Sequence, residues 1–255
     1  MNRCTLSPMK HSRSQNREHV QRGLGLVELM VALLIGLFLL AGLGALFLNM
    51  KQAFTSQDQL SQLQDNERLV LTVLTTTVQA AGYYPDPLVN TAATDLPAAT
   101  GAGYGSFAAG QGVVGLTGSS GASDTITSRY VTASGDGLMD CLGNVNPATS
   151  GASKLMMNTF TISAANELLC STDGGTTTTP LVGGVTSLKV LYAADTAGDG
   201  TALQYLDAAA VTSHSWWPQV RTARITVTLA NPFAAQPGQP ASVAWTQVVN
   251  LMNKT

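Results

Sequence analysis

From Leu29 to Leu48 the chain runs for twenty residues without a charged or strongly polar side chain. Coiled as a helix at 1.5 Å per residue, such a run is about 30 Å long, the thickness of a bilayer's hydrocarbon core. Lipid offers no partner to the backbone, so an α-helix, which pairs its own N–H and C=O groups, is the conformation open to it there. The apolar region of a secretory signal is shorter, about 7–15 residues, and a small-residue cleavage site follows it. This run is longer and no such site follows. The segment therefore reads as a membrane-spanning helix.

The charge around it sets an orientation. The formal net charge is only -2 and 11% of residues are charged, a low-charge balance that argues against a nucleic-acid binder. Residues 1–23 carry Arg3, Lys10, Arg13, Arg17 and Arg22 against Glu18 alone, while the remainder holds eight basic and fourteen acidic residues. A basic leader before an acidic body places the amino terminus in the cytoplasm and the body across the membrane. Of three cysteines, Cys4 lies in the leader. Cys141 and Cys170 remain as an even pair in an oxidising compartment, which points to a disulfide, with two buried free thiols as the alternative. The three His are scattered and there is no C-x-x-C, so no zinc site is expected.

Beyond the apolar run, residues 49–80 contain neither Pro nor Gly, and Leu60, Leu63, Val70, Leu74 and Val78 recur at helical spacing. This half is amphipathic and needs a surface to pack on. Gly82 and the two prolines of "YYPDP" end it. Later segments switch to a period of two. "RITVTLA" sets Ile225, Val227 and Leu229 on one face, and "SVAWTQVVNLM" does the same with Val243, Trp245, Val249 and Leu251. "VTSLKVLY" and "DTITSRYV" are further strands. No helix-length pattern separates these strands, which favours an antiparallel sheet. The Gly/Ala/Ser/Thr-rich stretch 91–123 reads mostly as loop with one short strand. There is no internal repeat.

The start of the chain, "QRGLGLVELMVALLIGLFLL", holds one acid, Glu28, at the edge of the apolar run. A basic leader ending in Gly23, Glu28 as the fifth residue after it, and the apolar helix together resemble a type IV prepilin signal. Leu24 stands where the family usually has Phe, and Gly25 where it has Ser or Thr. The resemblance implies cleavage by prepilin peptidase between Gly23 and Leu24 and N-methylation of Leu24. It also explains Glu28: a carboxylate in lipid costs about 2.5–3.5 kcal/mol at a helix centre, and the new amine of a neighbouring subunit can offset it. The pair would set registry between subunits. The alternative is a carboxylate that snorkels to the interface of a lone anchor. Small residues at Ala32, Gly36, Ala41 and Ala45 would let such helices approach closely. "GLGLVE" only begins like a dinucleotide-binding fingerprint, since Glu28 replaces the third Gly and no strand precedes it.

"LVGGVTSLKVLYAADTAGDG" and "WWPQVRTARITVTLAN" resemble the PilW family of minor type IV pilins, which is similar in turn to the J-type pseudopilins of type II secretion. Membership implies a low-abundance subunit that joins other minor pilins and the major pilin on an inner-membrane assembly platform. It primes pilus assembly and sits at the tip, where it could meet an adhesin. In PilW relatives the loop after "LYxxD" often carries alternating aspartates that could hold calcium. Here Asp195, Asp199 and Gly200 fit such a loop, but Ala197 replaces a ligand and Asp207 falls one place late for the twelfth position. The loop reads as a polar turn, and no cofactor is assigned. Ser, His and Asp occur without a G-x-S-x-G elbow, and His214 and Ser215 of "SHSWW" would point apart on an extended chain. Of Trp216 and Trp217, one is expected in the core and one at the surface.

The expectation is an α+β, pilin-like protein with no catalytic activity. Residues 1–23 form a cleaved leader, 24–48 the transmembrane half of a long helix, 49–82 its amphipathic half, and 83–255 a periplasmic, later surface-exposed, β-rich domain. A J-type pseudopilin is the alternative, and a membrane-anchored binding module or enzyme the second.

Overall fold

The computed structural model describes residues 25–201 and 204–251. Helix α1 spans Leu26–Gln79, 54 residues. The Gly25 carbonyl accepts the N–H groups of Glu28 and Leu29 at 2.9 and 3.1 Å, which opens the first turn. At the other end Gly82 adopts φ 84°, a left-handed conformation that suits glycine, and its N–H donates to the Arg129 carbonyl at 2.9 Å. The described residues fall into two compact units, divided between residues 55 and 56.

In the first unit every described residue is exposed except Gly36, which is half-buried. In the second, the end of α1 is amphipathic in fact as well as in pattern. Val70, Leu74, Thr77 and Val78 are buried, and Leu63, Leu71 and Val73 pack against the same core. Leu60 departs from the expected stripe: it is exposed, because the covered face starts only at Leu63.

The β structure is richer than one sheet. A five-stranded antiparallel meander takes β3 (Val113–Leu116), β4 (Thr125–Thr132), β5 (Lys154–Ile162), β6 (Glu167–Ser171) and β7 (Thr179–Gly183) in chain order. A four-stranded antiparallel sheet runs β11-β10-β8-β9, from β8 (Val185–Ala194), β9 (Tyr205–Leu206), β10 (Val220–Ala230) and β11 (Ser242–Asn250). β1 (Ala99–Gly101) and β2 (Gly105–Phe107) form a separate hairpin. The stretch 91–123 holds more than the one short strand expected in its loops: it contains α2 (Ala92–Asp95), β1, β2 and β3. Its Gly and Thr content supports turns and extended chain alike, so composition alone could not find these strands.

One core unites these layers. Leu74 and Val78 of α1 share a buried cluster with Phe160, Leu168 and Cys170 of the meander and with Leu188, Val190, Ile225, Val227 and Leu229 of the second sheet. Ile225, Val227 and Leu229 point inward as their alternation requires, and Thr226 bonds to Thr246 across the strand pair at 2.9 Å. Asp124 joins the two sheets. Its backbone N–H donates to the Leu188 carbonyl at 2.8 Å, its carboxylate accepts from Val190 N at 2.9 Å, and Lys189 Nζ lies 3.1 Å away. A buried carboxylate so paired loses little by leaving water.

The "SHSWW" segment also differs from its expected extended form. Helix α3 (Ala208–Ser213) ends at His214, and Ser215 turns the chain at φ 57° into a 3₁₀ turn, Trp217–Gln219. Trp217 is buried and Trp216 half-buried, its ring stacked 4.4 Å from that of His214.

Candidate functional site

Gly23 and Leu24 lie outside the described residues. Glu28 sits in the first turn of α1, exposed, as the acid of that turn. A carboxylate there interacts favourably with the positive end of the helix dipole. Along the same helix lies apolar surface that nothing among the described residues covers: Leu26 is 78% exposed and Phe38 84%. An added Cβ at Gly36, Gly42 or Gly44 would meet nothing within 4 Å, so no contact among the described residues calls for those glycines. Over a water-exposed stretch of this length such a surface would be unstable, so its setting is lipid or other helices. α1 is long and apolar enough to cross a membrane.

In the second unit Cys141 and Cys170 are joined, with Cα atoms 6.4 Å apart. Cys170 is on β6, opposite Phe160 of β5. The loop carrying Cys141 is held by its own polar groups. Asn158 Oδ1 accepts the Cys141 N–H at 2.7 Å, and Asp140 Oδ1 accepts those of Leu142 and Asn144, each at 2.9 Å. The Tyr130 hydroxyl donates to the Met139 carbonyl, and burial pushes its pKa up. Met139 and Val145 are left exposed at the tip of this braced loop.

Asp195 and Asp199 serve the backbone. Buried Asp195 accepts the N–H groups of Gly198 and Gly200 at 2.7 and 2.9 Å, and Arg221 Nε lies 3.6 Å from Oδ2. Asp199 accepts from Thr201 N at 2.8 Å, and Asp207 caps α3 by accepting from Ala210 N at 2.8 Å. These are turn and cap bonds of the kind short acidic side chains make locally. Among the described residues no three His, Cys, Asp or Glu side chains converge on one point.

Arg129 of β4 was not singled out from the sequence. It is fully buried, and its guanidinium donates to four carbonyls, those of Gln111, Pro97, Ala108 and Leu96, at 2.7, 2.6, 3.0 and 3.3 Å. It also lies 4.2 Å from the centre of the Phe107 ring. Burial lowers its pKa to about 10, still fully charged at neutral pH. Nothing in "TITSRYV" signals this role, because the four carbonyls come from a segment far away in sequence.

Residues 144–251 match the family model "Type IV Pilus-assembly protein W". Residues 19–44 match the "Prokaryotic N-terminal methylation motif". No curated protein matches the chain. Among solved structures, a type IV-like pilin, TTHA1219 from Thermus thermophilus, is similar at 14% identity over 75% of this chain and 96% of that one, with a TM-score of 0.41. The chain thus carries a methylation motif at the head of an apolar helix and, over residues 144–251, a PilW-like domain, which together make it similar to the minor type IV pilins.

Proposed function

We propose that the protein is an assembly subunit that joins other minor pilins to prime a type IV pilus and sits at its tip. The observation that carries this reading is a helix, Leu26–Gln79, whose methylation motif and uncovered apolar half accompany a single acid, Glu28, in the first turn. Prepilin peptidase cuts between Gly23 and Leu24, and Leu24 is N-methylated. Before assembly residues 24–48 anchor the chain in the inner membrane with the leader inside and residues 83–255 in the periplasm. In the filament Glu28 meets the terminal amine of a neighbouring subunit, each charge offsetting the other's desolvation. The role is structural, and the acidic turn at Asp195 and Asp199 shapes a loop.

The test is Glu28→Ala, read in two ways. Intact mass from native envelopes should still begin at N-methylated Leu24, because Gly23 and the apolar helix remain. Surface pili should nevertheless fall to the level of a deletion strain. Normal piliation would remove the registry role, and an uncut chain would remove the processing site. If the deletion strain keeps its pili and loses secreted enzymes, the partner is a type II secretion pseudopilus.

A further inference from the structure

Among the described residues the two larger sheets end in four edge strands, and three of these are blunted. β9 is two residues long and β3 four, and just past β3 the Thr117 hydroxyl accepts the Ala209 N–H of α3 at 2.9 Å. β7 carries Pro180, and its last carbonyl, that of Gly183, accepts from Asn66 Nδ2 of α1 at 3.4 Å. β11 has none of these devices. It is nine residues long, "SVAWTQVVN", without a charge or a proline, and it ends its sheet with β10 on one side only. Folded chains avoid an open, uncharged edge of this length unless another strand pairs with it.

The ladder with β10 fixes which groups of β11 are free. Leu251 N–H donates to the Arg221 carbonyl at 2.8 Å, and Asn231 N–H to the Ala241 carbonyl at 3.0 Å. Both bonds join odd-numbered residues, and the register between them is unbroken, from Thr222 opposite Asn250 to Ala230 opposite Ser242. Odd positions of β11 therefore turn their N–H and C=O groups to β10, and Ser242, Ala244, Thr246, Val248 and Asn250 turn theirs outward. Among the described residues one hydrogen bond reaches that outward row, from Gln247 Nε2 to the Val248 carbonyl at 3.4 Å, and it leaves the oxygen a second lone pair. The side chains of the same five residues are exposed, while Val249 is buried and Val243 and Trp245 are half-buried on the other face.

We propose that β11 pairs antiparallel with β11 of a second copy, across a two-fold axis through Thr246. The strand is complementary to itself about that residue. Thr246 meets the partner's Thr246, Ala244 the partner's Val248 and Ser242 the partner's Asn250. Each of these pairs exchanges two main-chain bonds, and with their symmetry mates they make about ten, as many as a typical interface carries. On the other face Val243 lies opposite the partner's Val249, and Trp245 opposite the partner's Gln247. Trp245 apart, apolar residues face apolar ones and polar face polar, and no like charges meet. Thr226 already bonds to Thr246 at 2.9 Å, so pairing carries a row of threonines across the axis. An unrelated strand has no reason to match this order, whereas a second copy matches it by symmetry. The inference does not rest on the pilus reading.

Sedimentation of the full chain in micelles of a zwitterionic detergent at low salt tests it, and the wild type should be dimeric. Thr246→Lys and Thr246→Glu each set like charges against each other on the axis. Either variant alone should be monomeric at concentrations where the wild type is dimeric. An equimolar mixture of the two sets a cation against an anion and should dimerise again. Thr246 is exposed and its main chain turns away from β10, so both variants should melt with the wild type, and dimerisation of the mixture shows independently that they are folded. A monomeric wild type overturns the proposal and leaves the edge to a strand of another protein. A dimer that survives Thr246→Lys is held elsewhere, as by the apolar half of α1, and overturns it too. So does a mixture of the two folded variants that stays monomeric.

Discussion

Arg129 offers the sharpest test of how the second unit is held together. Among the described residues no carboxylate pairs with its guanidinium; four carbonyls and the Phe107 ring solvate it instead. Replacing it with Met removes the charge and leaves the carbonyls behind. Two of them keep another donor: Leu96 O accepts from Gly110 N at 2.8 Å, and Ala108 O from Gln111 N at 3.2 Å. The carbonyls of Pro97 and Gln111 have no other donor among the described residues. Gln111 is buried, so its orphaned carbonyl would cost about 1–3 kcal/mol, while Pro97 is exposed and water can reach its carbonyl, so the two together would cost about 3 kcal/mol. Relief from burying a charge offsets part of that, so Arg129→Met should lose about 2 kcal/mol, or about 4–8 °C in Tm. Arg129→Lys should be no more stable than Arg129→Met. It keeps the charge, but its point-like ammonium cannot span carbonyls that a planar fork reaches in several directions. Urea unfolding of the full chain in micelles, followed by tryptophan fluorescence, measures both, and amide exchange should quicken first at Gly110 and Gln111. Wild-type stability in Arg129→Lys would show that charge alone suffices. Wild-type stability in Arg129→Met would show that the carbonyls find other partners, and the reasoning would fail.

Four further outcomes follow from the same structure. Reducing the Cys141–Cys170 bond, 29 residues apart in sequence, should lower stability by about 3.5 kcal/mol in the chain-entropy account; unfolding midpoints with and without reductant measure it. Gly112→Ala should cost about 2 kcal/mol or more, since its Cβ would lie 2.1 Å from Gly82 N, and the neighbours there are backbone atoms of Ala81 and Gly82 that no rotamer can move aside. Gly42→Ala, with open space around it, should leave the fold's stability unchanged in the same melts. Exposed Asp173 has its carboxyl lowered to about 2 by the Ser171 hydroxyl first and by Thr177 next. A folded pKa below the unfolded one contributes stability in full above the ordinary value of 3.8, lost as pH falls towards 2. NMR titration should show Ser171→Ala moving that pKa upward.

The sequence by itself determined what a short window can encode. Twenty apolar residues require a helix in lipid, Val70, Leu74 and Val78 recur with a helical period, and Ile225, Val227 and Leu229 alternate as a half-buried strand must. Glu28 stood out because an acid beside an apolar run has few reasons to be there. Only the tertiary structure decided the rest. β4 is buried on both faces and so shows no alternation, while β5 turns Asn158 inward to brace the Cys141 loop. Leu60 keeps the helical period yet finds no cover. Arg129 carries no signal in its own strand until carbonyls from residues 96–111 close around it, and the polar turn expected at Asp195 gains its detail only when Gly198, Gly200 and Arg221 meet the carboxylate. Periodicity reports which face of an element can be buried. Whether a partner arrives, and whether a buried polar group is satisfied, depends on residues far apart in the chain that meet only when it folds.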